Sequence, residues 1–295
     1  MRTPKHLKTL FHITVIDMAV LKEIKARIKS VKDTSKVTGA MYGISQMKLH
    51  SSSAELAKTE PYFNSLENEL THISAGISAD ECAFMRQSAE GPTGVLVITS
   101  DKGLCGDFNR QILRGAQRVI EENPGCKIYA IGEKAKKHFA ANGTPFQQDF
   151  DIAVHKPDEE TSARISDYFC DLFLKRKISR LIAVYSSISG TKSETVVKTV
   201  LPIEPRGSEN PAADIEFLPS KAAVVDSLVP IYLSGVFHSI LLHSYISEQT
   251  SRMLAMDSAN KNAKQLLDEL NTQYNRLRQN AITTEIAEIS GERNL

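Results

Sequence analysis

Tryptophan is absent from the 295-residue chain, and aromatic residues make up only 6% of it. Large aromatic side chains dominate thick cores, so this composition suits long helices better than one broad globule. Cysteine is scarce as well. Cys82, Cys105, Cys126 and Cys170 show no C-x-x-C spacing, and none lies beside a histidine at metal-ligand spacing. That excludes a recognisable zinc or redox motif and leaves reduced thiols as the expectation. Long apolar runs are also missing. The longest, around Val95–Thr99 and Val236–Leu242, fall far short of the roughly 20 residues a bilayer span requires, so no span is expected. Charge of either sign is not in surplus: 36 basic residues face 35 acidic ones, a net charge of +1. No global field therefore draws the chain to nucleic acid or to an anionic bilayer. What remains, 41% hydrophobic and 24% charged residues, is the composition of an ordinary folded protein.

Residues 1–17 carry Arg2, Lys5 and Lys8 and no acid before Asp17. They are set aside as an extension, disordered or arising from an upstream start, with Met18 as the working beginning; a transit peptide is the alternative. From Met18 to Thr59 there is no proline, and Ile24, Ile28, Val31, Ser35, Thr38, Tyr42, Ser45 and Leu49 alternate by four and three. This is a heptad seam, apolar at first and small or polar later. Lys22, Lys25, Arg27, Lys29, Lys32 and Lys36 make its opening turns basic, which denotes a solvated face or contact with an acidic partner. Pro61 is expected to open a second helix, and residues 18–78 form the first unit.

Between Gly235 and Gly291 there is neither glycine nor proline, and Met253, Met256, Asn260, Ala263, Leu267, Leu270, Tyr274, Leu277, Ala281 and Thr284 again alternate by three and four. Ser220 is a suitable N-cap. A helix over 220–290 would rise on the order of 100 Å, with a kink or break at Pro230. A helix of that length needs a partner for its seam. The N-terminal segment is the only other long heptad run, so an antiparallel coiled coil projecting from a central domain is predicted. Residues 91–217 read as that domain: strands at Gly94–Thr99, Lys127–Ile131, Arg180–Tyr185 and Glu194–Leu201 alternate with helical patterns through Ile112–Ile120, Glu133–Ala141 and Asp158–Leu174. The class is α/β with a largely parallel, Rossmann-like sheet.

Catalytic chemistry is hard to find. The loop Ser100-Asp-Lys-Gly-Leu-Cys-Gly-Asp-Phe-Asn109 lies between a strand and a helix, where α/β folds bind ligands. Gly103 and Gly106 would let a phosphate approach, yet the full G-x-G-x-x-G is lacking. Ser189-Gly-Thr-Lys-Ser193 fails the P-loop spacing. His238 and His243 are five apart and so do not form an H-E-x-x-H zinc pair. Cys105 is assigned to packing. No catalytic residue, metal ligand or cofactor is expected.

Three segments nevertheless carry a signature. Ile24-Lys-Ala-Arg-Ile-Lys-Ser-Val-Lys-Asp-Thr-Ser-Lys-Val-Thr38 resembles the opening helix of the gamma subunits of F-type ATP synthases. Thr99-Ser-Asp-Lys-Gly-Leu-Cys-Gly-Asp-Phe-Asn109 resembles that family's strand-to-loop motif. Ser247-Glu-Gln-Thr-Ser-Arg-Met253 and Arg278-Gln-Asn-Ala-Ile-Thr-Thr-Glu285 are similar to its C-terminal helix. The resemblance runs from Met18 to about Ser290. It implies a non-catalytic rotor shaft, coupling rotation of a proton- or sodium-driven membrane ring to conformational change in a hexamer of alpha and beta subunits. It further implies contacts with an epsilon subunit and the c-ring, no nucleic acid, and a peripheral place on the cytoplasmic face of a bacterial plasma membrane, with the membrane reached only through the complex. Arg252, Arg278, Gln279, Thr283 and Glu285 match positions where such a shaft meets its alpha or beta subunits. Where the family usually reads Lys-Ala-Met-x-Met-Val, this chain reads Gly39-Ala-Met-Tyr-Gly-Ile44, and its tail, Glu288-Ile-Ser-Gly291, is one residue short. These departures keep a divergent second copy among the alternatives, beside a coiled-coil scaffold and an α/β enzyme.

Overall fold

A computed structural model describes residues 5–74, 77–78, 81–86, 91–189, 192–203, 217–218 and 220–292, with only the backbone described at 5–18, 189, 192, 285 and 287–292. The chain divides into two compact units, one of residues 1–44 and 255–295, the other of residues 45–254.

The first unit is a helix pair. Helix α1 (Lys5–Ser74) contributes its N-terminal part and helix α5 (Lys221–Glu292) its C-terminal part. α1 leaves the unit at Ile44 and α5 enters it at Ala255, so the two run antiparallel. Every seam position here is withdrawn from solvent: Thr38, Met256, Ala263 and Leu270 are buried, and Ile24, Ile28, Val31, Ser35, Tyr42, Asn260, Leu267, Tyr274, Leu277, Ala281 and Thr284 are half-buried. The polar layer is satisfied across the pair, where Ser35 Oγ donates to Asn260 Oδ1 at 2.7 Å.

Gly39 and Gly43 lie within α1, and a Cβ added at either would meet nothing within 4 Å. Packing therefore does not require them, while each costs about 1 kcal/mol of helix propensity relative to alanine. The double replacement Gly39→Ala/Gly43→Ala should stabilise the chain by roughly 1–2 kcal/mol in urea unfolding. An unchanged midpoint would mean that this stretch is not helical in solution.

Helix α1 extends past the bounds read from the sequence. Residues 5–17 are continuous with the helix; no proline or glycine lies between Lys5 and Thr38. Pro61 does not open a second helix, because α1 runs through it. A proline inside a helix removes one N–H donor, but Leu70 and Ile73 beyond it pack into the core of the second unit and hold the helix together.

α5 starts as expected, with Ser220 Oγ accepting from the Ala223 amide at 3.2 Å. Pro230 is likewise contained, and its carbonyl accepts from Ser166 Oγ at 3.0 Å. By length and composition alone, part of α5 is apolar enough to cross a membrane. Ser234, His238, Ser239, His243 and Ser244 break its apolar runs in the sequence. Its apolar content is accounted for by Val225, Val229, Leu233, Phe237 and Leu241, which are buried in the core of the second unit.

That core is built on a four-stranded sheet of order β2-β1-β3-β4. Along the chain come β1 (Thr93–Ile98), α2 (Phe108–Glu122), β2 (Lys127–Ile131), α3 (Glu133–Ala141), α4 (Glu159–Leu174), β3 (Arg180–Ser189) and β4 (Lys192–Leu201). β1 pairs in parallel with β2 and β3, as a Rossmann-like reading requires. β4 is antiparallel to β3; only two residues separate them, too few for the crossover that a parallel pairing demands. Alternation divides the side chains of each strand between the faces. Val95, Val97, Ile128, Ala130, Ile182 and Val184 pack on Ile112 and Ala116 of α2 and Phe139 of α3. Leu96, Ile98, Tyr129, Leu181 and Ala183 pack on Ile165 and Phe169 of α4 and on α5. Helix α4 is capped by Asp158, whose carboxylate accepts from the Thr161 amide at 2.7 Å.

Candidate functional site

The loop after β1 is tied almost entirely to its own chain. Thr99 Oγ1 donates to the Ile131 carbonyl at 3.2 Å and accepts from the Ala135 amide at 2.9 Å. Asp101 Oδ1 accepts from the Glu133 amide at 3.2 Å, and the Ser100 carbonyl accepts from the Lys134 amide at 3.2 Å. Three of the orphan donors at the start of α3 are thus occupied by residues 99–101. Asn109 braces the loop from α2, donating through Nδ2 to Ser100 Oγ at 2.8 Å and to Cys105 Sγ at 3.1 Å. Cys105 is buried and serves packing. Burial pushes the thiols of Cys82 and Cys170 up to about 11, so neither is a thiolate near neutrality. Leu104 takes a left-handed φ of +63° and stands 64% exposed at the loop tip.

Arg252 faces inward, onto this loop. It is only 7% exposed; Nη1 donates to Glu248 Oε1 at 2.5 Å, and Nη2 reaches the carbonyls of Lys102 and Gly103, each at 3.3 Å. Burial raises the Glu248 carboxyl, and the neighbouring guanidinium pulls it back down. One turn earlier, the hydroxyls of Ser247, Ser186 and Ser193 meet at 2.5–2.7 Å, joining α5 to β3 and β4. The resemblance matched Arg252 to a position of subunit contact; in this structure its guanidinium holds the loop. The partner was visible as an i, i+4 acid–base pair, Glu248 with Arg252; the carbonyls of residues 102 and 103, some 150 positions away, carry no sequence signal.

The remaining candidates lie in the helix pair. Arg278, Gln279 and Thr283 are exposed on α5, and Thr283 Oγ1 donates back to the Gln279 carbonyl at 2.9 Å. The Glu285 side chain lies outside the described residues. At about 100° per residue, Gln279 and Thr283 occupy the side of α5 away from the seam residues Leu277, Ala281 and Thr284, and Arg278 lies on its flank. Ile282 and Ile286 share that side, 44% and 59% exposed, and sequence reasoning passed over both. Among the described residues, no group of three or more His, Cys, Asp and Glu side chains could hold a metal ion. Residues 190 and 191 of the weak P-loop echo lie outside the described residues.

An antiparallel helix pair and a small, mostly parallel sheet with helices on both faces define the class of fold. The ATP synthase family profile matches residues 20–293. The ATP synthase gamma chain of Chlorobaculum tepidum is 33% identical over 283 residues, covering 92% of this chain and 97% of that one. The gamma chain of Ruminiclostridium cellulolyticum is 33% identical over 284 residues, with the same two coverages. In fold, the chain is similar to one from the Euglena gracilis mitochondrial ATP synthase, determined with F1 and the c-ring. The TM-score is 0.68 and the identity 17%, over 94% of both chains. A chain of the Tetrahymena thermophila central stalk and c-ring matches with a TM-score of 0.57 and 20% identity, over 76% of this chain and 99% of that one. The protein belongs to the ATP synthase gamma-chain family.

Proposed function

We propose that the chain is the central rotor shaft of a proton- or sodium-driven ATP synthase, turning within a hexamer of alpha and beta subunits and bearing no catalytic site itself. The observation that carries this reading is the antiparallel helix pair with its mixed exposed face at Arg278, Gln279, Ile282 and Thr283. A pair of helices has no threefold symmetry, so it presents different side chains to three equivalent catalytic sites. Differential contact is what shifts a conformational equilibrium; as the shaft turns, each site is favoured open in succession. Arginine offers a planar fork to carboxylates, and the exposed Gln279 and Thr283 offer hydrogen bonds that re-form with each step. An epsilon subunit and the c-ring are the proposed partners at the sheet-bearing unit. The bacterial relatives favour a peripheral position at the cytoplasmic face of the plasma membrane.

Mixing decides the matter. The purified chain alone should show no ATPase activity, and adding it to alpha and beta subunits should yield a complex with rotation-coupled turnover. Arg278→Ala/Gln279→Ala should weaken assembly about fivefold, since truncating an interface arginine commonly costs on the order of 1 kcal/mol or more. Turnover by the isolated chain, or indifference to alpha and beta subunits, would instead support an enzyme or a scaffold. Gly39 and Gly43 keep one variant of the reading open, a divergent second gamma-like subunit, which would assemble with its own alpha and beta subunits but poorly with those of another rotor.

A further inference from the structure

Within the 45–254 unit, His238 of α5 is 2% exposed. Ser162 of α4 gives its hydroxyl proton to the Asp158 carbonyl at 2.7 Å, so in its 3.2 Å contact with His238 Nδ1 the imidazole is the donor. The neutral ring therefore carries its proton on Nδ1 and a bare lone pair on Nε2. Nε2 is buried and has no hydrogen-bond partner. Facing it at 3.8 Å is Glu55 Oε1 of α1, another acceptor. An unsatisfied buried acceptor opposed to a carboxylate is a costly arrangement, and one proton resolves it.

We propose that His238 and Glu55 form a proton-operated clamp joining α1, α4 and α5. A proton taken from solvent onto Nε2 leaves the ring cationic, with Nδ1–H still held by Ser162 and Nε2–H donating to Glu55. The closure is a movement of about 1 Å, from the observed separation to an ordinary charge-assisted bond. The helices are already close. Gly235, one turn before His238, has no room for a Cβ because the Phe63 ring of α1 fills the space, and that ring lies 6.2 Å from the imidazole. An adjoining cleft of about 600 Å³ is lined by Lys58, Glu159, Asp167 and His238. Glu159 and Asp167 of α4 and Lys58 of α1 face the same cleft. Lys156 Nζ sits 3.4 Å from Glu55 Oε2 and competes for the same carboxylate. Burial disfavours a charged ring, and the carboxylate within ion-pair reach is what makes the cation admissible. The clamp is independent of the rotor reading; in a shaft it would stiffen this helix junction in acid.

The test uses the full chain, following amide exchange at residues 234–242 from about pH 8 to about pH 5.5, the range in which histidine changes charge. After correction for intrinsic rates, protection in the wild type should rise about tenfold on acidification, the scale of one charge-assisted hydrogen bond. His238→Gln and Glu55→Gln should each give a flat profile, and Lys156→Met, which removes the competitor, a steeper one. In carbon-detected NMR the Glu55 carboxyl should shift in step with the His238 ring. A flat wild-type profile, a wild-type response in E55Q, or independent titration of the two side chains would overturn the clamp. Should H238Q fail to fold, the partly exposed Glu55 and Lys156 carry the test.

Discussion

Gly132→Ala should destabilise the protein by roughly 3–5 kcal/mol, the sum of a strained backbone and an overpacked contact. Gly132 sits between β2 and α3 with φ at +92°, in the left-handed region. A Cβ there would run into the backbone carbonyl and the hydroxyl of Thr99, and backbone yields little. The damage would spread, because Thr99 receives the Ala135 amide and bonds to Ile131, so displacing it uncaps α3 and loosens the end of β1. Gly125 is the control. Its φ of +82° is also left-handed, yet nothing lies within 4 Å of its added Cβ, and Gly125→Ala should cost only about 1 kcal/mol. Urea unfolding of both variants separates close approach from backbone strain; equal losses would remove the steric part of the argument.

Much of this architecture was legible because two periodicities were clean. Both heptad seams predicted which positions turn from solvent, down to the polar layer where Ser35 meets Asn260. The strand Lys127–Ile131 and the helix Glu133–Ala141 fall where the pattern placed them. Failures came where tertiary packing outweighed a local signal. Pro61 is a good helix-opening residue, but buried apolar neighbours downstream kept α1 whole. The sense of β4 depends on the shortness of its connection to β3, and the Glu194–Leu201 pattern alone does not encode it.

The candidate contact surface divides in the same way. Arg278, Gln279 and Thr283 were named through resemblance, and their exposure is consistent with a contact role. Ile282 and Ile286 were missed because an isoleucine at helical spacing ordinarily means core; only the position of the seam shows that they point away from it. Gly132 and His238 gave no advance warning. A glycine's need and a histidine's isolation are set by atoms from distant segments, Thr99 in the first case and Glu55 and Ser162 in the second.

Arg252→Met should cost about 2 kcal/mol at neutral pH, because it takes the charge partner from a half-buried carboxylate and leaves it Gln249 Nε2 at 3.2 Å. Glu248 is held mostly by burial, which raises its carboxyl above the ordinary 4.5, and Arg252 supplies the main opposing pull. Without the guanidinium the carboxyl climbs further. A group whose folded value is raised contributes its full stability below the unfolded value and loses it as pH rises through the folded one. The penalty in R252M should therefore be small below about pH 4.5 and grow toward neutrality, in urea midpoints measured against the wild type. Adding Glu248→Gln removes the stranded charge and should recover most of the loss at pH 7. It should not recover the loop, since in both variants the guanidinium no longer reaches the Gly103 carbonyl, and the Lys102 carbonyl keeps only the local Ser100 Oγ at 2.7 Å and the Cys105 thiol. Trypsin cleavage after Lys102 should accordingly be faster than wild type in the single and the double variant alike. If cleavage returned to the wild-type rate with Glu248→Gln, the clamp would be acting through helix stability and not through its grip on the loop.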